Sequence, residues 1–311
     1  MEPSTASKTA LVTSLMRALH TRADPHRIIH DAWGDRLVPE VARDIIRQRA
    51  RSAAAADQGT AADTNADADA FVEAWLRGSA AYATVITRSR YAEDALHSSV
   101  ARGFTQYVLV GAGFDSYALR TPPESVHVNI YEVDHPATQS LKRQRIRACN
   151  LSVRDSVHFL AADLSSESLG SVLAKSNFES TKPAFFSWLG VTMYLTREAN
   201  LGSLRSIASS AAVGSELVFT YVDQAAFESN ELTGTALGKS VASIGEPFLS
   251  GFNPNTLAQD LHDVGFDLLE DLNDSQVVER YDPHGLNGLK PAPHSRIAHA
   301  RVTGVAGHDA A

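Results

Sequence analysis

Five short apolar runs separate helix-sized segments between Gln106 and Asp223, and this alternation restricts the possible folds more than any other feature. The runs are "YVLVGAG", "VHVNIYEVD", "SVHFLAADL", "PAFFSWLGV" and "SELVFTYVD". Strands that are apolar along their whole length are typical of sheets covered on both faces. Parallel neighbours need long crossover connections, which are usually helices. The pattern predicts an α/β fold with a Rossmann-like, doubly wound, mostly parallel sheet.

One domain accounts for all 311 residues, because α/β domains of about 250 residues commonly fold as one unit. We expect a helical N-terminal extension over residues 1–103 and the ligand-binding part of the sheet over residues 104–223. A lid is predicted over residues 224–255. The remaining residues, 256–311, are expected to complete the sheet with a helix, a strand and a final edge strand in "HSRIAHARVTG".

The extension contains one clear helix and one stretch without an apolar face. Apolar residues in "SKTALVTSLMRALHT" recur at spacings of three and four, which predicts an amphipathic helix capped by Ser7. Residues 53–70 consist mainly of Ala, Asp, Thr and other small or polar residues, which predicts a mobile surface loop. A frayed helix is the alternative for the first alanines of that stretch.

Composition and missing motifs disfavour several classes of function. Lys and Arg number 28 against 36 Asp and Glu, and the net charge of −8 would repel nucleic acid. The single cysteine, Cys149, forms no internal disulfide or thiolate cluster, as expected in a reducing cytoplasm. No run approaches the ~20 apolar residues that span a bilayer. HExxH, GxSxG and GxxxxGK[ST] motifs are absent, so neither a metal nor serine hydrolase chemistry is expected.

The turn after the first apolar run is the first candidate ligand contact. Ligands of open parallel sheets bind beyond the carboxyl ends of the strands, and Gly111-Ala112-Gly113 allows the backbone to approach one there. A tight turn without a ligand is the alternative. The dinucleotide fingerprint requires a third glycine where this chain has Ser116, and the neighbouring Asp115 would repel a pyrophosphate. We therefore expect a nucleoside ligand with a cationic or zwitterionic tail.

Carboxylates follow the second and third runs. Glu132 and Asp134 stand about twenty residues beyond the glycine turn, where a carboxylate can accept hydrogen bonds from both ribose hydroxyls. Asp163 has the equivalent place after the third run and can accept a hydrogen bond from the amine of an adenine. The competing interpretation is that Asp134 and Asp163 cap the helices that follow them.

Arg88 and Arg90 can each offer a guanidinium fork to a ligand carboxylate. The alternative for either one is a surface ion pair with Glu93 or Asp94.

The ordered set of motifs resembles the leucine carboxyl methyltransferase family of S-adenosylmethionine-dependent enzymes and its bacterial relatives. The matching motifs are "SKTA", "TRSRYAEDAL", "VLVGAGFDSYALR", "YEVDHPATQSLKR", "AADL", "FFSWLGVTMYL" and "LVFTYVD". The resemblance implies that Arg88, the glycine turn and Lys8 bind the methionine part of S-adenosylmethionine. It also implies that Glu132 or Asp134 binds the ribose, while Asp163 and Leu164 contact the adenine.

The chain departs from the family at Leu189, where the enzymes that methylate protein C-termini usually have a glutamate. We therefore expect a bacterial relative that methylates a small molecule. The loop over Gly190–Thr196 contains no clear general base, which favours a carboxylate acceptor because it is already ionised at pH 7. Tyr194 is a weak candidate for orienting that acceptor. The alternatives are a phenol or alcohol acceptor, a non-catalytic cofactor-binding protein and a nicotinamide-dependent oxidoreductase.

Overall fold

A seven-stranded sheet forms the centre of the computed structural model, which describes residues 6–58, 68–228 and 247–304. The strands lie in the order β3-β2-β1-β4-β5-β7-β6. The first five are parallel to one another, whereas β7 is antiparallel to both of its neighbours. The strands span β1 Gln106–Val110, β2 Asn129–Asp134, β3 Val157–Ala161, β4 Phe185–Trp188, β5 Glu216–Val222, β6 Phe266–Asn273 and β7 Ser295–Val302. The predicted α/β class and mostly parallel sheet are confirmed.

The last strand is not the edge strand that its sequence pattern predicts. β7 lies between β5 and β6, and its Ala298 and Ala300 are fully buried. The edge is β6, where Leu269 remains 41% exposed and the register shifts between Leu268 and Glu270. The apolar alternation in β7 correctly indicates a strand, but a pattern within one strand does not specify which strands pair with it.

Helices cover the sheet and form most of the N-terminal region. They span α1 Lys8–Ala23, α2 Gly34–Leu37, α3 Glu40–Gln58, α4 Ala68–Gly78, α5 Ala81–Ala101, α6 Tyr117–Arg120, α7 Pro136–Ala148, α8 Leu169–Ala174, α9 Arg197–Ser210, α10 Ala225–Glu228, α11 Leu257–His262 and α12 Asp274–Tyr281. Short 3-10 turns occupy Pro123–Ser125 and Thr192–Tyr194. The predicted cap of α1 is present, since the Ser7 hydroxyl accepts a hydrogen bond from Ala10 N at 3.1 Å.

Two predicted irregular segments fall only partly within the described residues. Helix α3 continues to Gln58 and α4 begins at Ala68, so helix occupies both ends of the loop predicted over residues 53–70. This agrees with the helical alternative for its first alanines, whereas residues 59–67 lie outside the described part. Most of the predicted lid, residues 229–246, also lies outside it. In the described ends of the predicted lid, residues 225–228 form α10, and Phe252 forms a β-bridge with Asp223.

The carboxyl ends of the parallel strands meet at one edge, which helices α1 and α5 border. The start of α1 is fastened to α7, because Ser7 N donates to Thr138 Oγ1 at 3.1 Å. Arg17, on the buried face of α1, donates to Asp31 at 2.8 Å and to the carbonyl of Phe114 at 2.7 Å. These contacts bring the N-terminal region against the loops that leave the sheet. None of the helices in the described ranges combines the length and apolar character that crossing a bilayer requires.

Candidate functional site

The glycine turn after β1 fits between α1 and the loop after β4. Gly111 and Gly113 have φ angles of 69° and 52°, in the left-handed region that favours glycine. A Cβ atom on Gly111 would lie 2.6 Å from Val191 Cγ2, and one on Gly113 would lie 3.1 Å from Ala10 Cβ. Both glycines are therefore needed for the close packing of the turn against α1 and the loop after β4.

Ala112, within the turn, and Asp115, between the turn and α6, have structural roles. Ala112 is buried, and its N–H donates to the carbonyl of Val133 at 3.1 Å, which ties the turn to β2. The Asp115 Oδ1 accepts a hydrogen bond from Tyr117 N at 2.7 Å, at the start of α6. Asp115 thus stabilises the first turn of that short helix, while its half-buried carboxylate adds negative charge beside the glycine turn.

Asp134 lies at the end of β2, beside the glycine turn, and its carboxylate is partly exposed. One oxygen accepts a hydrogen bond from Gly113 N, and the other accepts one from His135 N at 2.6 Å. Burial raises the pKa of Asp134, against the opposing effect of these two backbone donors. The expected capping role belongs to its neighbour, because His135 Nδ1 accepts from Ala137 N at 3.3 Å at the start of α7.

Glu132 is enclosed between β2 and α7. Its side chain is 1% exposed and pairs with Lys142 Nζ at 2.6 Å, which is equally buried. Burial raises the pKa of Glu132, and its Oε1 has no hydrogen-bond partner among the described residues. Of the two acids considered for the ribose, only Asp134 therefore presents its carboxylate at the partly exposed edge of the sheet.

Asp163 and Leu164 lie beyond β3, next to the strand that ends at Asp134. The exposed Asp163 carboxylate accepts hydrogen bonds from the hydroxyl of Ser165 at 2.7 Å and from its N–H at 3.0 Å. The hydroxyl contact is the main reason why the pKa of Asp163 is lowered. Helix α8 is capped by Ser168 instead of Asp163. Leu164 is half-buried and packs against the apolar core of the sheet.

Arg88 reaches the same edge from α5, where its guanidinium lies against the loop after β4. A Cβ atom on Gly190, in the loop after β4, would lie 2.6–2.9 Å from three atoms of the Arg88 guanidinium. Among the described residues the guanidinium has no hydrogen-bond or ion-pair partner. Burial, followed by repulsion from Arg17, lowers the pKa of Arg88 to about 10.

The other predicted arginine has a different environment. Arg90 pairs with Asp94 at 2.8 Å and donates to the carbonyl of Ile28 at 3.0 Å. The ion pair that the sequence offers as an alternative for either arginine is thus present at Arg90 and absent at Arg88.

Lys8 and Tyr194 lie on two elements that border the ends of the strands. Lys8 is the exposed first residue of α1, and the contact between Ala10 and Gly113 places this end of the helix against the glycine turn. Tyr194 ends the 3-10 turn after β4, with its ring 5.5 Å from the ring of Phe248.

Three residues of the site were not predicted from the sequence. Gly190 has a φ angle of 70° and provides the surface against which the Arg88 guanidinium lies. Thr220, on β5, accepts a hydrogen bond from Gly190 N at 2.7 Å. Arg17 interrupts the apolar face of α1, and that position in "SLMRALH" is the signal that could have identified it. Leu189, at the position where the resemblance expects a glutamate, packs instead against the apolar cluster beneath α5.

The chain is similar to known proteins in sequence and in fold. The family model described as leucine carboxyl methyltransferase matches residues 10–208. A Bacillus subtilis (strain 168) relative named "Putative S-adenosyl-L-methionine-dependent methyltransferase YktD" is 30% identical over 303 residues, covering 96% of this chain and 99% of its own. A Mycobacterium marinum relative with the same descriptive name is 27% identical over 218 residues, 70% of this chain and 67% of its own.

The solved structure of a DUF574 family protein from Streptomyces avermitilis has a TM-score of 0.53 at 15% identity, covering 83% of this chain and 95% of that one. At this identity the similarity concerns the fold alone. The family model and the Bacillus subtilis relative define the class of the chain as an S-adenosylmethionine-dependent methyltransferase. The chain belongs to the leucine carboxyl methyltransferase family. This replaces the oxidoreductase and the non-catalytic binder considered from the sequence.

Proposed function

We propose that the chain transfers the methyl group of S-adenosylmethionine to an oxygen of a small carboxylic acid, forming a methyl ester. The observation that carries the cofactor assignment is the guanidinium of Arg88 beside Gly190, which has no hydrogen-bond or ion-pair partner in the described part of the chain. A partly buried cation of this kind fits the carboxylate of the cofactor's methionine part, because Arg binds carboxylates with two parallel hydrogen bonds. The exposed ammonium of Lys8 adds a second positive charge at the start of α1.

The remaining contacts follow the edge of the sheet from β1 to β3. Gly111, Ala112 and Gly113 offer backbone to the methionine part, with Asp115 beside them. Asp134 is the acceptor for the ribose hydroxyls. Glu132 lies behind it in the buried ion pair with Lys142. Asp163 and Leu164 border the adenine. When bound, S-adenosylmethionine supplies an electrophilic methyl group on a positively charged sulfur.

The acceptor class is inferred from the residues of the loop after β4. Between residues 190 and 196, Tyr194 is the only side chain with a titratable group. A carboxylate acceptor is ionised at neutral pH and needs no base, so the chain's task reduces to orienting it and excluding water. Tyr194 and Phe248 form an aromatic surface suited to that task.

A phenol or alcohol acceptor is the second candidate, and a cavity favours it. This cavity of about 330 Å³ opens beside the ends of β5 and β7 and is lined by Asp223 and Asp274, among other residues. Burial raises the pKa of Asp274, which would make its carboxylate a stronger base for a hydroxyl acceptor.

Methyl-labelled S-adenosylmethionine distinguishes the two acceptor classes. The protein is incubated with the labelled cofactor and a bacterial metabolite extract, and labelled products are then treated with mild alkali. A methyl ester releases its label as methanol, whereas a methyl ether keeps it. Label that survives alkali would contradict the proposed ester. If this alkali-stable label appeared only in reactions that contain a hydroxyl acceptor, the second candidate would be established.

A further inference from the structure

Asn200 is a fully buried polar residue in the first turns of α9, with 0% of its surface exposed. Asparagine is a poor residue for a helix interior, and an amide removed from water is costly unless it is hydrogen-bonded. Its place in the helix therefore requires an explanation from its partners.

The Asn200 amide joins two chain segments that are far apart in sequence. Its Nδ2 donates to the carbonyl of Thr192 at 2.9 Å and to Ser250 Oγ at 3.1 Å. The Ser250 hydroxyl in turn donates to the carbonyl of Leu195 at 2.7 Å. The carbonyl of Thr192 determines the orientation of the amide, because a flipped amide would place Oδ1 against another acceptor. Oδ1 itself has no partner among the described residues.

The first of these segments is the β4 loop, defined here as residues 190–195. Its far side is fixed to β5, because Thr192 Oγ1 donates to the carbonyl of Thr220 and Gly190 N donates to Thr220 Oγ1, each at 2.7 Å. Gly190 is therefore held under the Arg88 guanidinium by a contact that does not involve Asn200.

The second segment comprises residues 248–252. It meets the β4 loop directly, since Leu249 N donates to the carbonyl of Met193 at 2.7 Å and the rings of Tyr194 and Phe248 are 5.5 Å apart. Asn200 is a buried side chain that bonds to both segments from α9. The two segments form one wall beside Tyr194, and Asn200 bonds to both parts of this wall from its buried side.

We infer that Asn200 is a positioning residue for methyl transfer, acting through Thr192 and Ser250 to hold the β4 loop and residues 248–252 as a single wall. This inference rests on the proposed function, because the wall matters for catalysis only if the acceptor lies against it. Loss of Asn200 should loosen the contact between the two segments, which would then rest on the bonds from Leu249 and Ser250 alone, while leaving Gly190 anchored by Thr220. The rate of transfer should then fall much more than the affinity for the cofactor.

Hydrogen exchange tests the structural part with four variants. In Asn200→Ala, the amides of Leu195 and Leu249 should exchange at least tenfold faster than in the wild type. Ser250→Ala should give a smaller increase at the same amides, and Ser250→Thr, which keeps the hydroxyl, should restore protection. Ile207→Ala is the matched control, because Ile207 is also fully buried, lies two turns further along α9 and has no hydrogen-bonding side chain.

The functional part uses S-adenosylhomocysteine as the probe of affinity and methyl label in the extract as the probe of rate. Asn200→Ala should reduce the rate at least tenfold while the dissociation constant changes less than threefold. Equal exchange in Asn200→Ala and Ile207→Ala would overturn the inference, as would parallel losses of rate and affinity. If the wild-type protein failed to bind the probe, the proposed function would fail, while the exchange comparison would still decide whether Asn200 couples the two segments.

Discussion

Replacing Arg88 with alanine should have opposite effects on cofactor affinity and on the stability of the free protein. The guanidinium lies against Gly190 without a partner among the described residues, and burial lowers its pKa to about 10. A charge whose pKa is depressed by folding destabilises the folded state below that pKa, here by about 3 kcal/mol at pH 7. Lost packing of the side-chain stem offsets part of this. The free energy of unfolding should thus stay constant or rise by about 1–2 kcal/mol.

Affinity should fall because the methionine carboxylate would lose its guanidinium. Hydrogen bonds between charged groups contribute about 1.5–3 kcal/mol each, so losing a two-bond contact should cost about 3 kcal/mol or more. This corresponds to a dissociation constant for S-adenosylhomocysteine raised roughly 150-fold. Titration calorimetry measures the affinity, and urea denaturation of the ligand-free protein measures the stability.

Arg90→Ala is the control, because Arg90 lies two residues away on the same helix and is paired with Asp94. That surface pair contributes roughly 0–1 kcal/mol to stability, and its loss should leave affinity within about twofold of the wild type. The reasoning is refuted if Arg88→Ala binds the probe as well as the wild type, or if both variants lose affinity equally.

Three further predictions concern the surroundings of the site and the base of the sheet. Gly113→Ala should lower stability by about 1–3 kcal/mol in urea denaturation and weaken probe binding. Gly103→Ala is the control, because Gly103 has a φ angle of 99° and no atom within 4 Å of the added Cβ. This variant introduces backbone strain alone, so the difference between the two variants measures the contact with Ala10. Lys142→Met should cost about 3–5 kcal/mol by leaving Glu132 buried without its cation, and Glu132→Gln in the same chain should recover part of this loss. The pKa of Glu216 is lowered to about 2 by hydrogen bonds from His299 and Ser99, against the opposing effect of burial. The stabilising effect of ionised Glu216 should therefore be complete above about pH 4.5 and disappear as the pH falls toward 2. In Glu216→Gln the free energy of unfolding should depend less on pH within that window. An unchanged acid denaturation curve would contradict the lowered pKa.

The parallel half of the sheet could be predicted from the sequence because its signal is local. Each of the first five strands is an apolar run followed by a helix-sized segment, and covalent order together with the rules for crossovers determines much of the topology. The position of β7 lacked such a signal. Its alternating pattern indicates a strand, but its insertion between β5 and β6 depends on contacts between residues far apart in the chain.

The candidate site was predictable as a set of residues, since the carboxyl ends of parallel strands meet at one edge. The sequence did not show which of these charged side chains have partners within the chain. Arg88 and Arg90 point about 200° apart around α5, as the helical repeat dictates. The spacing of four residues between Arg90 and Asp94 indicates their ion pair, but the sequence does not indicate what the Arg88 guanidinium meets on the other side of the helix. Glu132 and Asp134 lie on the same face of β2, yet only the first meets the buried Lys142.

Paired and unpaired charges therefore divide the site into parts that serve the fold and parts that remain available to a ligand. Glu132 and Arg90 have partners within the chain, and their charges are compensated whether or not the cofactor is bound. Arg88 has no hydrogen-bond or ion-pair partner among the described residues, and the nearby charges of Asp274 and Asp115 offset only part of its burial, so the free protein bears the remaining cost. Under the proposed function, the methionine carboxylate would remove that cost on binding, and the charge that weakens the free fold would then increase the selectivity of the site for an anionic ligand tail.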